Sequence, residues 1–110
     1  MPFLYPIRYI IDIYKILKTE LFDLWLTNLR DNNGKGRILT RLKRLELGNL
    51  GNYKVLGSRL YEMRIDSGPG YRLYFMKEKN TIIVLLSGGS KATQERDIKR
   101  AYKIMKEIEV

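Results

Sequence analysis

The stretch YEMRIDSGPGYRLYF, Tyr61 to Phe75, reads as two strands joined by a short turn, and it decides the fold class. Side chains alternate along a strand, so Tyr61, Met63 and Ile65 share one face while Glu62, Arg64 and Asp66 share the other. Gly68-Pro69-Gly70 supplies the backbone freedom of a turn, after which Tyr71, Leu73 and Phe75 return on one side and Arg72, Tyr74 and Met76 on the opposite side. A β-hairpin with an apolar face and a charged face results. The charged face pairs Arg64 with Arg72 and adds a carboxylate and a phenol, groups suited to holding and cleaving a phosphodiester. An ordinary solvated sheet face explains the same alternation and, on spacing alone, is the plainer reading.

Upstream of the hairpin, Ile7, Tyr9, Ile11 and Ile13 alternate with Arg8, Ile10 and Asp12, which predicts a first strand after the leader Met1 to Pro6. Thr19 is placed as an N-cap, and Phe22, Trp25, Leu26 and Leu29 form the apolar stripe of a core-facing helix, with Asp31-Asn32-Asn33-Gly34 expected to break it. A second amphipathic helix is expected from about Lys35 to Leu47, with Ile38, Leu42 and Leu45 inward and Gly48-Asn49 at its end. These two helices read as a hairpin that must pack on something apolar. Downstream, Tyr53 to Leu56 reads as a short strand and Thr81 to Leu86 as a central one. Ser87-Gly88-Gly89-Ser90 reads as a closing turn. The last helix, Thr93 to about Glu109, carries Ile98, Ala101, Tyr102, Met105 and Ile108 along one seam. The expected order is β-α-α-β-β-β-α, an α+β fold with helices on one face of a largely antiparallel sheet and the other face left available.

At 110 residues the chain is expected to form one domain, 1–110, with a real core. Lys and Arg number 21 against 12 Asp and Glu, a net charge of +9 that points to an anionic partner: nucleic acid, an acidic protein or a membrane surface. With no cysteine and no histidine, disulfides, zinc-finger sites and thiol or imidazole catalysis are excluded, and neither a metal site nor a cofactor is expected. No apolar run approaches the roughly 18 to 20 residues of a membrane span. The start MPFLYPIRYI lacks signal-peptide features, so the cytoplasm is the expected compartment.

Two basic sets follow from these elements. Arg37, Arg41 and Arg44, flanked by Lys35 and Lys43, repeat at helical spacing and either contact a phosphate backbone or form the wet face of their helix. Arg64 and Arg72 come from adjacent strands, and Lys54, Arg59 and Lys91 could join them. If RNA is cut without metal or imidazole, the reaction is attack of a 2′-hydroxyl on its neighbouring phosphate. Arg64 and Arg72 would stabilise the charge, and Glu62, Lys54, Lys91 or Tyr74 would be candidates for proton transfer. Ser87 to Lys91 lacks the spacing of a Walker phosphate loop and is read as a strand-to-helix turn that needs glycine. Trp25 is assigned to the core, and Tyr74 is the aromatic expected to stack on a base.

FDLWLTNLRD (Phe22 to Asp31), RLKRLELGNLGNYKVLG (Arg41 to Gly57), the hairpin and LLSGGSKATQERDIKRA (Leu85 to Ala101) together resemble the addiction-module killer branch of the RelE/ParE toxin superfamily. The likeness runs from the first strand to the last helix, and its most specific pieces are RIDSGPGYR and GGSKATQERDI. The resemblance implies a RelE-like fold and a small toxin neutralised by a cognate helix-turn-helix antitoxin. RelE-type members cut messenger RNA in the ribosomal A site, ParE-type members inhibit DNA gyrase, and the killer branch lies nearer the HigB-like messenger RNA cutters. By the same resemblance Arg64 and Lys91 are supporting cations and Arg72 is the phosphate and transition-state clamp. Glu62 stands where the RelE pattern has a lysine, as a general base or as a partner for Arg64, and the C-terminal catalytic tyrosine has no counterpart. The implied function is a metal-independent, ribosome-dependent endoribonuclease, with gyrase inhibition by binding as the alternative.

Overall fold

The computed structural model describes residues 14–78 and 82–109. Its elements are β1 (Lys15–Lys18), α1 (Glu20–Thr27), α2 (Asn32–Glu46), β2 (Tyr53–Gly57), β3 (Leu60–Ile65), β4 (Tyr71–Glu78), β5 (Ile82–Ser90) and, after a 3₁₀ turn at Lys91–Thr93, α3 (Gln94–Glu109). The strands form one sheet in the order β1-β5-β4-β3-β2. β2 to β5 pair antiparallel in succession, and β1 runs parallel to β5. The fold is α+β. The described order is β-α-α-β-β-β-β-α: the run at Tyr53, the two hairpin strands and the run ending past Leu86 all form, one strand more than the expected order counts after the helices. The strand expected over Ile7 to Ile13 lies outside the described residues.

Local chemistry places the helix starts. Thr19 Oγ1 accepts the Phe22 N–H at 3.2 Å and donates to the Leu86 carbonyl at 2.5 Å, so one hydroxyl caps α1 and ties it to β5. Such a cap contributes about 1 kcal/mol. Asp31 does the same for α2, accepting the Gly34 N–H at 3.0 Å. The Asp31–Gly34 segment therefore starts the second helix instead of merely ending the first, and α2 begins three residues before the expected Lys35. Gly48 takes a φ of 91° just past the C-cap Leu47, a conformation in which a Cβ would be strained.

The sheet is covered on both faces, which corrects the expectation of an open one. Phe22, Ile38 and Leu45 pack with Met63, Ile65, Tyr71, Leu73 and Phe75 under α1 and α2. Ala101 and Met105 of α3 pack with Leu60, Tyr74, Met76 and Leu86 on the reverse side. β4 is buried at each residue from Tyr71 to Met76, as befits a strand with neighbours on both edges and helices on both faces. Among the described residues, no helix is long and apolar enough to cross a membrane.

A second correction concerns Ser87-Gly88-Gly89-Ser90, which continues β5 and is not a turn. A Cβ on Gly88 would lie 2.6 Å from Trp25 Cζ3, and one on Gly89 would collide with Asp97 Oδ2. The two glycines let an indole approach the strand on one face and a carboxylate on the other.

Candidate functional site

The β3–β4 hairpin sets Arg64 directly opposite Arg72, and the next strand places Gly89 beside Arg72 and Ser90 beside Tyr71. Lys91 then turns over the hairpin, its N–H donating to the Gly70 carbonyl at 2.8 Å. A Cβ on Gly70 would sit 3.8 Å from Lys91 Cβ and 3.9 Å from Arg72 Nη1, which shows how closely these groups gather. Arg64, Arg72 and Lys91 line a cleft of about 560 Å³ together with the turn residues Asp66 to Gly70. Of the five cations expected to converge, Arg64, Arg72 and Lys91 share this concavity.

Their environments differ. Arg64 and Lys91 are exposed, whereas Arg72 is 9% exposed, its Nε 3.5 Å from Glu62 Oε1 and with no hydrogen bond among the described residues. Glu62 is 1% exposed and accepts from Gln94 Nε2 at 2.7 Å. It therefore pairs with Arg72 and not with Arg64. Tyr74 is fully enclosed beneath α3, and its hydroxyl has no well-formed hydrogen bond among the described residues. Burial, then the Glu62 and Asp97 carboxylates, push its pKa well above the ordinary phenol value. The expectation that Tyr74 stacks on a base fails because α3 covers both ring and hydroxyl, and Glu62 is likewise closed off as a direct proton-transfer group.

The α2 arginines line a larger cleft, about 980 Å³, on the other side of the hairpin turn; Ile65, Asp66 and Ser67 belong to both. Arg37 and Arg44 are exposed there. Arg41 is spent on structure, Nη1 donating to the Arg64 carbonyl at 2.9 Å and Nη2 to the Leu50 carbonyl at 3.1 Å. Burial and neighbouring Arg44 draw its pKa below the ordinary guanidinium value, against the opposing pull of Asp66. Lys54, on the edge strand opposite Glu62, and Arg59, in the turn after β2, are not among the residues lining either cleft.

No family model matches the chain. An uncharacterized protein of Haemophilus influenzae is 42% identical over 93 residues, which cover 84% of this chain and 94% of that protein. The chain belongs to that protein's family.

Four site residues escape a reading of sequence alone. Asp66 and Ser67 line both clefts, and Asp66 was within reach, since it continues the alternation of Glu62 and Arg64. Gln94 and Asp97 reach the reverse side of the sheet from the first turn of α3, where Asp97 accepts from Thr93 Oγ1 at 2.5 Å. No spacing rule signals that pair.

Proposed function

We propose that this chain is a toxin of the RelE/ParE kind that cuts messenger RNA on the ribosome and so inhibits translation. The observation that supports the reading most is the convergence of Arg64, Arg72 and Lys91 on one cleft in a chain of net charge +9. Guanidinium groups grip phosphate oxygens bidentately, and three cations in one concavity suit a phosphorane, which carries more negative charge than the diester. The RelE-like topology is part of the same proposal.

In the proposed reaction the ribose 2′-oxygen attacks the adjacent phosphorus, the P–O2′ bond forms and the P–O5′ bond breaks. The products are a 2′,3′-cyclic phosphate and a 5′-hydroxyl. Arg72 and Arg64 stabilise the phosphorane. With Glu62 and Tyr74 buried, the exposed titratable groups of the cleft are Asp66 and Lys91. We assign removal of the 2′ proton to the Asp66 carboxylate and protonation of O5′ to the Lys91 ammonium. The partners on this reading are the ribosome, its messenger RNA and a helix-turn-helix antitoxin that neutralises by covering the cleft.

Mapping new RNA 5′ ends in a reconstituted translation reaction, with and without ribosomes, tests the proposal. Cuts within translated codons are expected, dependent on ribosomes and reduced at least about 100-fold in Arg72→Ala. Arg72→Lys keeps a cation beside Glu62 but loses the planar fork, so it separates misfolding from lost phosphate recognition. Cutting without ribosomes would make the protein a free ribonuclease. A folded, toxic protein that cuts nothing would transfer the case to binding inhibition of gyrase.

A further inference from the structure

Beneath the cleft lies a closed polar layer of which the proposed reaction uses Arg72 alone. Glu62, Tyr74 and Ser87 form one cross-strand row, and Arg72 and Gly89 lie in the next. All five residues are buried, and α3 closes over them with Gln94 and the buried Asp97. Within this layer the ionic link to the cleft is specific. Arg72 turns its Nε inward, 3.5 Å from Glu62 Oε1, while Nη1 reaches the hairpin turn beside Gly70. Glu62 Oε2, the carboxylate's other oxygen, is held by Gln94 at 2.7 Å. A buried carboxylate keeps one orientation only while its oxygens are engaged, and that orientation decides where a paired guanidinium points.

We propose that Gln94 and Glu62 are positioning residues for Arg72. Gln94 fixes the Glu62 carboxylate, and Glu62 holds the inner edge of the guanidinium so that its outer nitrogens stay turned to the cleft. The start of α3 thereby acts on Arg72 through the Glu62 carboxylate. The functional part of this assignment rests on the cleft being the phosphate-holding site. On this layout the glutamate at 62 supports the clamp from beneath and takes no part in the chemistry.

The test uses the full-length, ¹⁵N-labelled protein and follows the Arg72 Nε–H resonance, with thermal melting as a fold control and ribosome-dependent cutting as the activity. Gln94→Leu keeps bulk but removes the donor. It is expected to shift or broaden the Arg72 resonance while backbone amides away from α3 hold their positions, and to lower the cutting rate by up to about 100-fold with little change in KM. The swap Glu62→Gln with Gln94→Glu restores an amide–carboxylate hydrogen bond but leaves Arg72 without its charged partner. It is expected to recover the melting temperature and to leave the resonance and the cutting rate impaired. An Arg72 resonance unchanged in Gln94→Leu overturns the proposal, as does a swap that restores resonance and melting together, since either outcome reduces the bond to docking of α3. If Arg72→Ala cuts RNA as well as the unaltered protein does, the nuclease reading falls, and the Arg72 resonance still decides the positioning.

Discussion

Tyr71 donates its hydroxyl to Asp31 Oδ2 at 2.7 Å while the Gly34 N–H holds Oδ1 at 3.0 Å, so a single carboxylate caps α2 and tethers it to β4. Each partner bends the other's ionisation. The Gly34 amide and then the Tyr71 hydroxyl lower the Asp31 pKa from 3.8, and burial together with Asp31 pushes Tyr71 from 10.0 up to about 12. The depressed carboxyl contributes stability above pH 3.8 that is lost as the pH falls through its folded value. The raised phenol contributes stability below pH 10.0 that is lost as the pH climbs to about 12. Tyr71→Phe therefore flattens the alkaline limb of the urea midpoint plotted against pH and weakens the acid limb, with Tyr74 supplying the alkaline slope that remains. A variant curve parallel to the unaltered protein's at both ends would mean that the pair is not coupled. Gly88 makes a different demand, for space. Its missing Cβ would meet the Trp25 ring at 2.6 Å, so Gly88→Ala is expected to cost about 1–3 kcal/mol in urea unfolding. Adding Trp25→Leu to the same chain should return part of that loss, and a double variant no better than the sum of the singles would deny the clash.

The α2 arginine row shows how one spacing serves two purposes within a single element. Arg41 bridges the carbonyls of Arg64 and Leu50, and it lies against Gly51, where a Cβ would stand 2.6 Å from Arg41 Nη2. Helix, hairpin and the segment after the helix are thereby joined by one side chain. Arg37 and Arg44 point into the larger cleft without such duties. Chemical denaturation separates the roles. Arg41→Ala should lower stability by about 1 kcal/mol, the typical net worth of its hydrogen bonds when part exposed. Arg37→Ala and Arg44→Ala should stay within about 0.5 kcal/mol of the unaltered protein and, on the proposed function, weaken RNA binding. Equal losses of stability across the three positions would refute the division.

Across the whole molecule, legibility followed periodicity. The two-residue repeat of the hairpin is enough to oppose Arg64 to Arg72, and a short connection brings Lys91 over the turn, so the cationic cleft could be read in outline. The covering of the second face could not, because a strand's polar side looks the same whether it meets water or a helix. Glu62 and Arg72 are buried as an ion pair under α3 with Tyr74 beside them, a property of the assembled layer and not of any one stretch. Gly88 and Gly89 misled for a related reason: glycine marks turns and close approaches alike, and the partners that distinguish the two are far away in sequence. If the proposed function holds, what the assembled surface offers to RNA is measurable as counterion release. The two clefts meet at Ile65, Asp66 and Ser67, so a single strand laid over the hairpin turn passes Arg37 and Arg44 on one side and Arg64, Arg72 and Lys91 on the other. With about 0.7 counterions released per neutralised phosphate, contact by all of these predicts a slope near −3.5 for log affinity against log salt. A 2′-O-methyl oligoribonucleotide, which cannot be cut by the 2′-hydroxyl route, isolates binding from chemistry. Arg44→Ala should reduce the slope by about 0.7, and Lys54→Ala, outside both clefts, should leave it alone. A slope near zero, or one that answers to Lys54 and not to Arg44, would take the nucleic-acid path off this face of the molecule.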